Sequence, residues 1–475
     1  MPPTDYTRQT HHEFLTAAEQ ALVDPKLQAS LTNLGDTLAR RNTEAWRAFP
    51  QSDAVRELAR QIKDETLAHL DEYLEQFEAA VERRGGKVHF AADGDEACRI
   101  VMGILRAAGA KKVVKSKSMT TEEIHLNDVL EAEKIEVVET DLGEFIVQLS
   151  KQRPSHLVAP ALHLRMPEIH ELLSGDAGET LPNTPEDMAG YARRRLRADF
   201  ATADAGITGG NFAIAETGSI VLISNEGNAR LTVTLPRLQI AIVGIEKVIP
   251  KFADLPVFLK VLARAATGQK MSVYTSVING PRLPNETEGP EEFHVVMLDN
   301  GRTNILEGPL RESLFCIRCG ACLNACPIYR NIGGHAYGGV YSGPIGAVIT
   351  PLYDGLAANH HLPHASSLCG ACQAACPVKI SIPEMLIKLR DQLHHEPGQL
   401  GRLEGFAYRT WARTMRIPWI YRLNTWLATR IVGRWNKTGW IKKLPFALGG
   451  WTKARDFPAP AAERFRDWWD REGKQ

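Results

Sequence analysis

Apolar residues recur every three or four positions from residue 10 to about 83. The pattern runs through HHEFLTAAEQAL and again through AVRELARQIKDETLAHLDEYLEQFEAAVERR, with charges between the apolar positions. That spacing lays one apolar stripe along a helix and predicts a helical N-terminal arm, stopped by Gly85-Gly86. From Lys87 the period changes. KVHFAAD, KKVVKS, IEVVET and SHLVAP read as strands, and DEACRIVMGILRAAG, TTEEIHLNDVLEAE and GEFIVQLS as the helices between them. Such alternation predicts an α/β domain on a parallel sheet with right-handed crossovers. A polar stretch near 176–186 leads to a basic helix with Arg193, Arg194, Arg195 and Arg197, which suits a solvated face better than a ligand site. Farther on, ITGGNFAIAETGSIVLISN and ARLTVTLPRLQIAIVGIEKVI carry β-branched runs broken by glycine, the pattern of strands joined by tight turns.

Polar groups interrupt these strands, and two readings follow. Gly209-Gly210-Asn211 and Glu216-Thr217-Gly218-Ser219 either make turns in which Glu216 caps nearby backbone, or contribute to a pocket. In the second reading Asn211, Glu216, Thr217 and Ser219 join Lys115, Ser116, Lys117 and Ser118 at strand ends to hold a small anion or an acyl group. Neither GxGxxG nor a P-loop occurs.

Seven of the eight cysteines lie between Cys316 and Pro377. Cys316, Cys319, Cys322, Cys326 and Pro327 have the C-x2-C-x2-C-x3-C-P spacing that wraps three thiolates round one cubane and sends the fourth to a second. Cys369, Cys372, Cys376 and Pro377 repeat it with Ser366 in the first position. Two iron-sulfur clusters are predicted, one on Cys316, Cys319, Cys322 and Cys376, the other on Cys326, Cys369 and Cys372. The fourth iron of the second is bound by Ser366, by His364 or by solvent, or is absent, leaving a 3Fe-4S cluster. Zinc ribbons pair separate C-x2-C knuckles and fit this pattern less well. Six glycines between Gly333 and Gly346 suit a loop that wraps a cluster and offers N–H groups to its sulfurs. Cys98, among apolar helix positions, reads as a core residue.

The 475 residues allow two or three domains, and 56 basic against 56 acidic residues give no hint of a polyanionic partner. No apolar run spans a bilayer, and MPPTDYTRQTHHEF lacks a signal-peptide pattern, so a cytoplasmic protein is expected, with membrane association through partners as a further option. Charge is uneven, however. Residues 401–445 hold ten basic residues against Glu404 alone, and eight of nine tryptophans follow residue 400: Trp411, Trp419, Trp426, Trp435, Trp440, Trp451, Trp468 and Trp469. An aromatic, basic tail suits a protein partner, or peripheral contact with an anionic membrane, or packing on the cluster region. Nucleic acid is not expected, since no binding motif accompanies the charge.

KSKSMTTEEIHLNDVLEAEKIEVVETDLGEFIVQL, HLVAPALH, ITGGNFAIAETGSIVLISNEGNARL and CIRCGACLNACPIYRNIGGHAYGGVYSGPIGAVI together resemble the lactate-utilization protein B family over nearly the whole chain. The resemblance implies a helical arm over 1–84 and, over 85–299, an α/β lactate-utilization domain related to the CoA-transferase and ribose-phosphate-isomerase fold. It implies a mainly α, ferredoxin-like domain with two 4Fe-4S clusters over 300–395 and a helical, tryptophan-rich segment over 396–475. The seven cysteines carry over as cluster ligands. CoA-transferases of the related fold use a glutamate beside a glycine as nucleophile, which makes Glu216 the analogous catalytic candidate, though a shared fold does not transfer a reaction.

The resemblance also implies the iron-sulfur subunit of an L-lactate-oxidising oxidoreductase complex rather than a complete enzyme. Its partners would be a cysteine-rich protein and a smaller lactate-utilization-domain protein, with an electron acceptor that the sequence does not identify. An acyl- or CoA-handling enzyme with regulatory clusters, or a redox-sensing binding protein, are the alternatives.

Overall fold

The computed structural model describes residues 10–155, 157–395, 402–432, 439–452, 455–461 and 463–473, so Trp435 and the first nine residues lie outside it. Residues Met1–His395 and Glu396–Gln475 form two compact units. The larger contains a six-stranded, wholly parallel sheet made of β1 (Lys87–Ala91), β2 (Lys112–Lys115), β3 (Glu136–Glu139), β4 (Ala205–Thr208), β7 (Leu238–Gly244) and β10 (Glu292–Leu298). Its order is β1-β10-β7-β4-β2-β3. A four-stranded sheet of order β8-β5-β6-β9 stands beside it, formed by β5 (Phe212–Ile214), β6 (Ser219–Ser224), β8 (Val248–Ile249) and β9 (Tyr274–Ile278).

The period of two explains the layers. Ile240 and Ile242 of β7, with Val296 and Leu298 of β10, face the helix Gly94–Ala107 through its Val101 and Leu105. Their neighbours Ala241, Val243, Val295 and Met297 point the other way, into a core shared with the second sheet, the N-terminal helices and the cysteine region. Both faces of these central strands are covered, which is why LQIAIVG is apolar at nearly every position. The chain leaves β2 towards β3 and leaves β4 towards β7, so the order reverses between β2 and β4, where open parallel sheets form a crevice at their carboxyl ends.

Four departures from the sequence pattern have local causes. SHLVAP contains no strand among its described residues: the Ser155 N–H bonds the Pro160 carbonyl at 3.0 Å, closing a loop between two prolines, and the Tyr329 hydroxyl donates to the Ser155 carbonyl at 2.7 Å. ARLTVT belongs to the helix Asn228–Thr234, because Ala229, Thr232 and Val233 are buried together at helical spacing. TTEEIHLNDVLEAE divides into two short helices at His125, whose φ is 52°. The long N-terminal helix divides at His69.

The N-terminal helices α1 (His11–Val23), α2 (Pro25–Arg47), α3 (Ser52–Ala68) and α4 (Leu70–Glu82) straddle both halves of the larger unit. Phe77 and Val81 of α4 pack with Phe212 and Phe293 of the sheets, while Arg56 and Arg60 of α3 reach the cysteine region. Arg56 Nη2 donates to the carbonyls of Ala374 and Cys376, at 2.7 Å each, and Arg60 Nη1 to that of Lys379 at 2.9 Å. Lys379 in turn pairs with Asp53 and Glu57.

The smaller unit contains the helices Arg402–Arg416, Pro418–Leu427 and Phe465–Glu472, on which Phe406, Trp411, Trp419 and Phe465 are among the exposed aromatics. Among the described residues no helix is long and apolar enough to cross a membrane.

Charge-assisted hydrogen bonds to main-chain carbonyls contribute about 1.5–3 kcal/mol. Arg56→Ala is therefore expected to speed amide hydrogen exchange across residues 371–380 while leaving β7 and β10 unchanged. Identical exchange in both proteins would show that the arginine does not hold this segment.

Candidate metal centre

The two cysteine runs share one backbone. Arg318 and Gly320 flank Cys319 with φ of 57° and 75°, and Leu368 and Gly370 flank Cys369 with φ of 56° and 81°. Gly320 and Gly370 cap the helices Ala321–Ala325 and Ala371–Ala375, and Cys326 and Cys376 leave those helices in extended conformation, with ψ of 121° and 119°. Left-handed backbone is costly for arginine and leucine, so its recurrence marks a turn shaped for what the thiols enclose. A shift of 50 residues carries Cys319, Cys322 and Cys326 onto Cys369, Cys372 and Cys376, and Cys316 onto Ser366.

Mutual electrostatic influence groups the thiols into two sets. Burial lifts the Cys319 thiol above its ordinary range, and Cys376 and Cys316 beside it push the same way. Cys322 is raised by burial and by Cys316, Cys319 and Cys376. Burial pushes Cys372 up to about 11, with Cys326 and Cys369 adding to it, and Cys326 is raised by burial and by Cys369. The sets are thus Cys316, Cys319, Cys322 and Cys376, and Cys326, Cys369 and Cys372, each completed by the last cysteine of the other run.

Main-chain N–H groups point at the sulfurs. Tyr329 N donates to Cys326 Sγ at 3.5 Å and Ile380 N to Cys376 Sγ at 3.4 Å. The Ile345 N–H, in the first turn of the helix Gly343–Asp354, faces Cys322. Glycine is required in that wrapping segment: a Cβ on Gly346 would lie 2.2 Å from the Tyr341 carbonyl oxygen. Among the described residues no three His, Cys, Asp or Glu side chains close to the spacing of a single-ion site. Soft thiols in sets of four and three, met by N–H donors, fit iron-sulfur clusters, whose sulfurs accept such hydrogen bonds.

The two sets sit in different surroundings. Three cations, Lys63, Lys247 and Arg318, interact with Cys316 in the first. Arg318 lies 4.4 Å over the Tyr341 ring and 3.6 Å from Glu246. Arg302 pairs with Glu246 at 2.5 Å and with both oxygens of Glu123 at 2.9 Å, and the Tyr341 hydroxyl donates to Glu123 at 2.5 Å. Burial pushes the Glu246 carboxyl up, but Arg302, Lys247 and Arg318 outweigh it and hold it at about 2. Burial brings Lys247 down to about 8 and Lys63 to about 7, against the pull of Glu246. Lys63, Lys247, Arg302 and Arg318, with Glu123 and Glu246 between them, make the surroundings of this set cationic, and Arg56 acts on its Cys376. Around the second set, Cys369 is exposed, and its thiol is lowered by the Ala371 N–H and by Ser367.

Of the other predicted residues, Ser118 abuts Gly209, where a Cβ would lie 2.6 Å from the Ser118 hydroxyl. Lys115 ends β2 and pairs with Glu139 of β3 at 2.6 Å, and Lys117 lies 3.4 Å from Glu144, whose carboxyl burial and Glu122 push up to about 8. Asn211 accepts from the Ile223 N–H at 2.8 Å. Glu216 is exposed and accepts from the Phe252 N–H at 2.8 Å, and Thr217 and Ser219 bond each other at 2.6 Å in a turn packed on α4. No hydrogen bond or ion pair among the described residues joins this turn to Lys115–Ser118. Cys98 is buried and donates to the Ile124 carbonyl at 3.4 Å. Arg193, Arg194 and Arg197 are exposed, while Arg195 pairs with Asp176 and Asp199.

Sequence reasoning missed Lys63, Glu123, Glu246, Lys247, Arg302, Arg318 and Tyr341. Only Glu246-Lys247, a charged pair within the apolar run AIVGIEKVI, carried a signal.

Three family descriptions match the chain: the LUD domain over residues 74–298, the 4Fe-4S dicluster domain over 312–380, and the C-terminal region of lactate utilisation protein B over 390–474. The chain is 46% identical over 419 residues to the lactate utilization protein B of Oceanobacillus iheyensis, covering 88% of each chain. To that of Geobacillus kaustophilus it is 48% identical over 414 residues, 87% of each. To that of Bacillus licheniformis it is 42% identical over 464 residues, 98% of this chain and 97% of the relative.

Removing one buried cation from the first set should make reduction there harder. Lys247→Met is expected to shift that centre to a more negative potential by roughly tens of millivolts, as the loss of one screened charge would, and to leave the other unchanged. An EPR-monitored redox titration reads both, and equal potentials in variant and parent would remove the assigned role.

Proposed function

The chain belongs to the lactate utilization protein B family, and on that premise we propose that it is the iron-sulfur subunit of a multi-protein system that oxidises L-lactate to pyruvate. The observation that carries this reading is the division of seven thiols into two interlocked sets. Cys316, Cys319, Cys322 and Cys376 would hold one 4Fe-4S cluster, and Cys326, Cys369 and Cys372 the other.

Oxidation of lactate releases two electrons and two protons, and each bound cluster supplies a one-electron carrier, so a pair of clusters can take the electrons singly. The protein's own residues set the terms of that transfer. Lys63, Lys247, Arg302 and Arg318 offset negative charge on the buried side. The N–H groups of Tyr329, Ile345 and Ile380 orient and partly neutralise the sulfurs. Exposed Cys369 brings the other side to the surface, where a redox partner can approach.

Lactate chemistry itself is assigned to companions, a cysteine-rich protein and a smaller lactate-utilization-domain protein, with onward transfer to a separate acceptor. The exposed Trp411 and Trp419, on helices rich in arginine, supply a docking surface for such a protein.

Anaerobically purified protein is expected to carry about eight irons and eight sulfides, as two cubanes require. Its EPR signals should change when L-lactate and both companions are added together, and not with lactate alone. Full clusters that stay silent to the complete mixture would contradict the relay.

A further inference from the structure

The second set is one ligand short, and the repeat built into the structure identifies what stands at the vacant corner. In the first set Cys316 joins two cysteines of its own run and the last cysteine of the other. The 50-residue shift places Ser366 at the position in its run that Cys316 holds in the other, three residues before Cys369. The equivalence is structural as well as arithmetical. Arg318 and Leu368 have φ within one degree of each other, glycines cap both following helices, and a 3-10 turn precedes each run, Arg311–Phe315 before Cys316 and Leu362–His364 just before Ser366.

Ser366 is equipped for the position. Its Oγ accepts the Leu368 N–H at 3.1 Å, the acceptor role that N–H···S bonds give the cysteines. Arg390 fixes the segment on both sides, donating to the Pro363 carbonyl at 2.9 Å and to the Ser366 carbonyl at 3.2 Å. The competing groups are placed otherwise. Ser367 bonds the Cys369 thiol. His364 is exposed among Arg390, His394 and His360, and the same shift carries it onto Leu314, a buried core residue.

We propose that Ser366 Oγ is the fourth ligand of the second cluster, which makes one of its irons oxygen-bound. This rests on the two-cluster reading above. Binding forms an Fe–O bond and releases the hydroxyl proton to solvent, with no change in oxidation state. An alkoxide is a harder donor than a thiolate and matches sulfide-bound iron less well, so this iron is the most exchangeable of the eight.

The test is spectroscopic and independent of turnover. Protein reconstituted with 57Fe is compared by Mössbauer spectroscopy, and by EPR after mild oxidation, for the parent, Ser366→Cys and Ser366→Ala. In the parent one iron of the second cluster should be distinct and should leave on oxidation to give a 3Fe-4S signal. Ser366→Cys should lose the distinct iron and resist that conversion. Ser366→Ala should convert several-fold faster, with the first cluster unchanged in all three. If the parent holds about eight irons but Ser366→Ala matches it in spectrum and in rate of iron loss, the ligand assignment is overturned while the two-cluster reading stands. If the parent assembles only one cluster, that reading falls and the ligand assignment with it.

Discussion

Cys326 and Cys376 each end one run and complete the other run's set, and this exchange constrains everything around them. Neither set can form unless the helices Ala321–Ala325 and Ala371–Ala375 lie side by side. The intervening segment must then return the chain over about forty residues, which it does through the glycine-rich stretch and the helix Gly343–Asp354. On the outer side, Arg56 and Arg60 of α3 donate to the carbonyls of Ala374, Cys376 and Lys379, of which that of Cys376 also accepts from the Lys379 N–H at 3.1 Å. The N-terminal helices are accordingly part of the scaffold of the metal centre.

A second consequence concerns charge. Packing the first set against the α/β domain buries Cys322 and Cys376 and leaves Cys316 and Cys319 half-buried, and an anion placed there needs compensation. Lys63 comes from the helical arm, Lys247 from the turn Ile245–Lys247 after β7, Arg302 from beyond β10 and Arg318 from within the cysteine run. Glu123 and Glu246 hold these cations apart and in place. Each half of the larger unit therefore completes the other electrostatically, and removing the thiol centre would leave like charges facing one another in the core.

Much of this was legible in the residues because the information was local. Cysteine spacing of two and three residues marks both runs, and the β-branched run LQIAIVG marks a strand. What escaped had partners far along the chain. Arg302 meets residues 56 and 179 positions away, and Lys63 meets a carbonyl 183 away, so nothing near them in sequence marks them. SHLVAP was misread because an apolar run does not distinguish a strand from a loop whose carbonyl is claimed by Tyr329. Glu216 is a nucleophile candidate only through the likeness of AETGS to CoA-transferases of the related fold, while its neighbours suit a turn and a pocket equally. The structure puts it on the surface as a cap.

The central claim is the exchange of terminal cysteines between two clusters in unequal surroundings. Anomalous diffraction at the iron edge from anaerobically grown crystals tests it most directly. Two separate iron peaks are predicted, one against Cys316, Cys319, Cys322 and Cys376 and close to Lys247, the other against Cys326, Cys369 and Cys372 near the surface. A single peak bound by Cys316, Cys319, Cys322 and Cys326 together would contradict it.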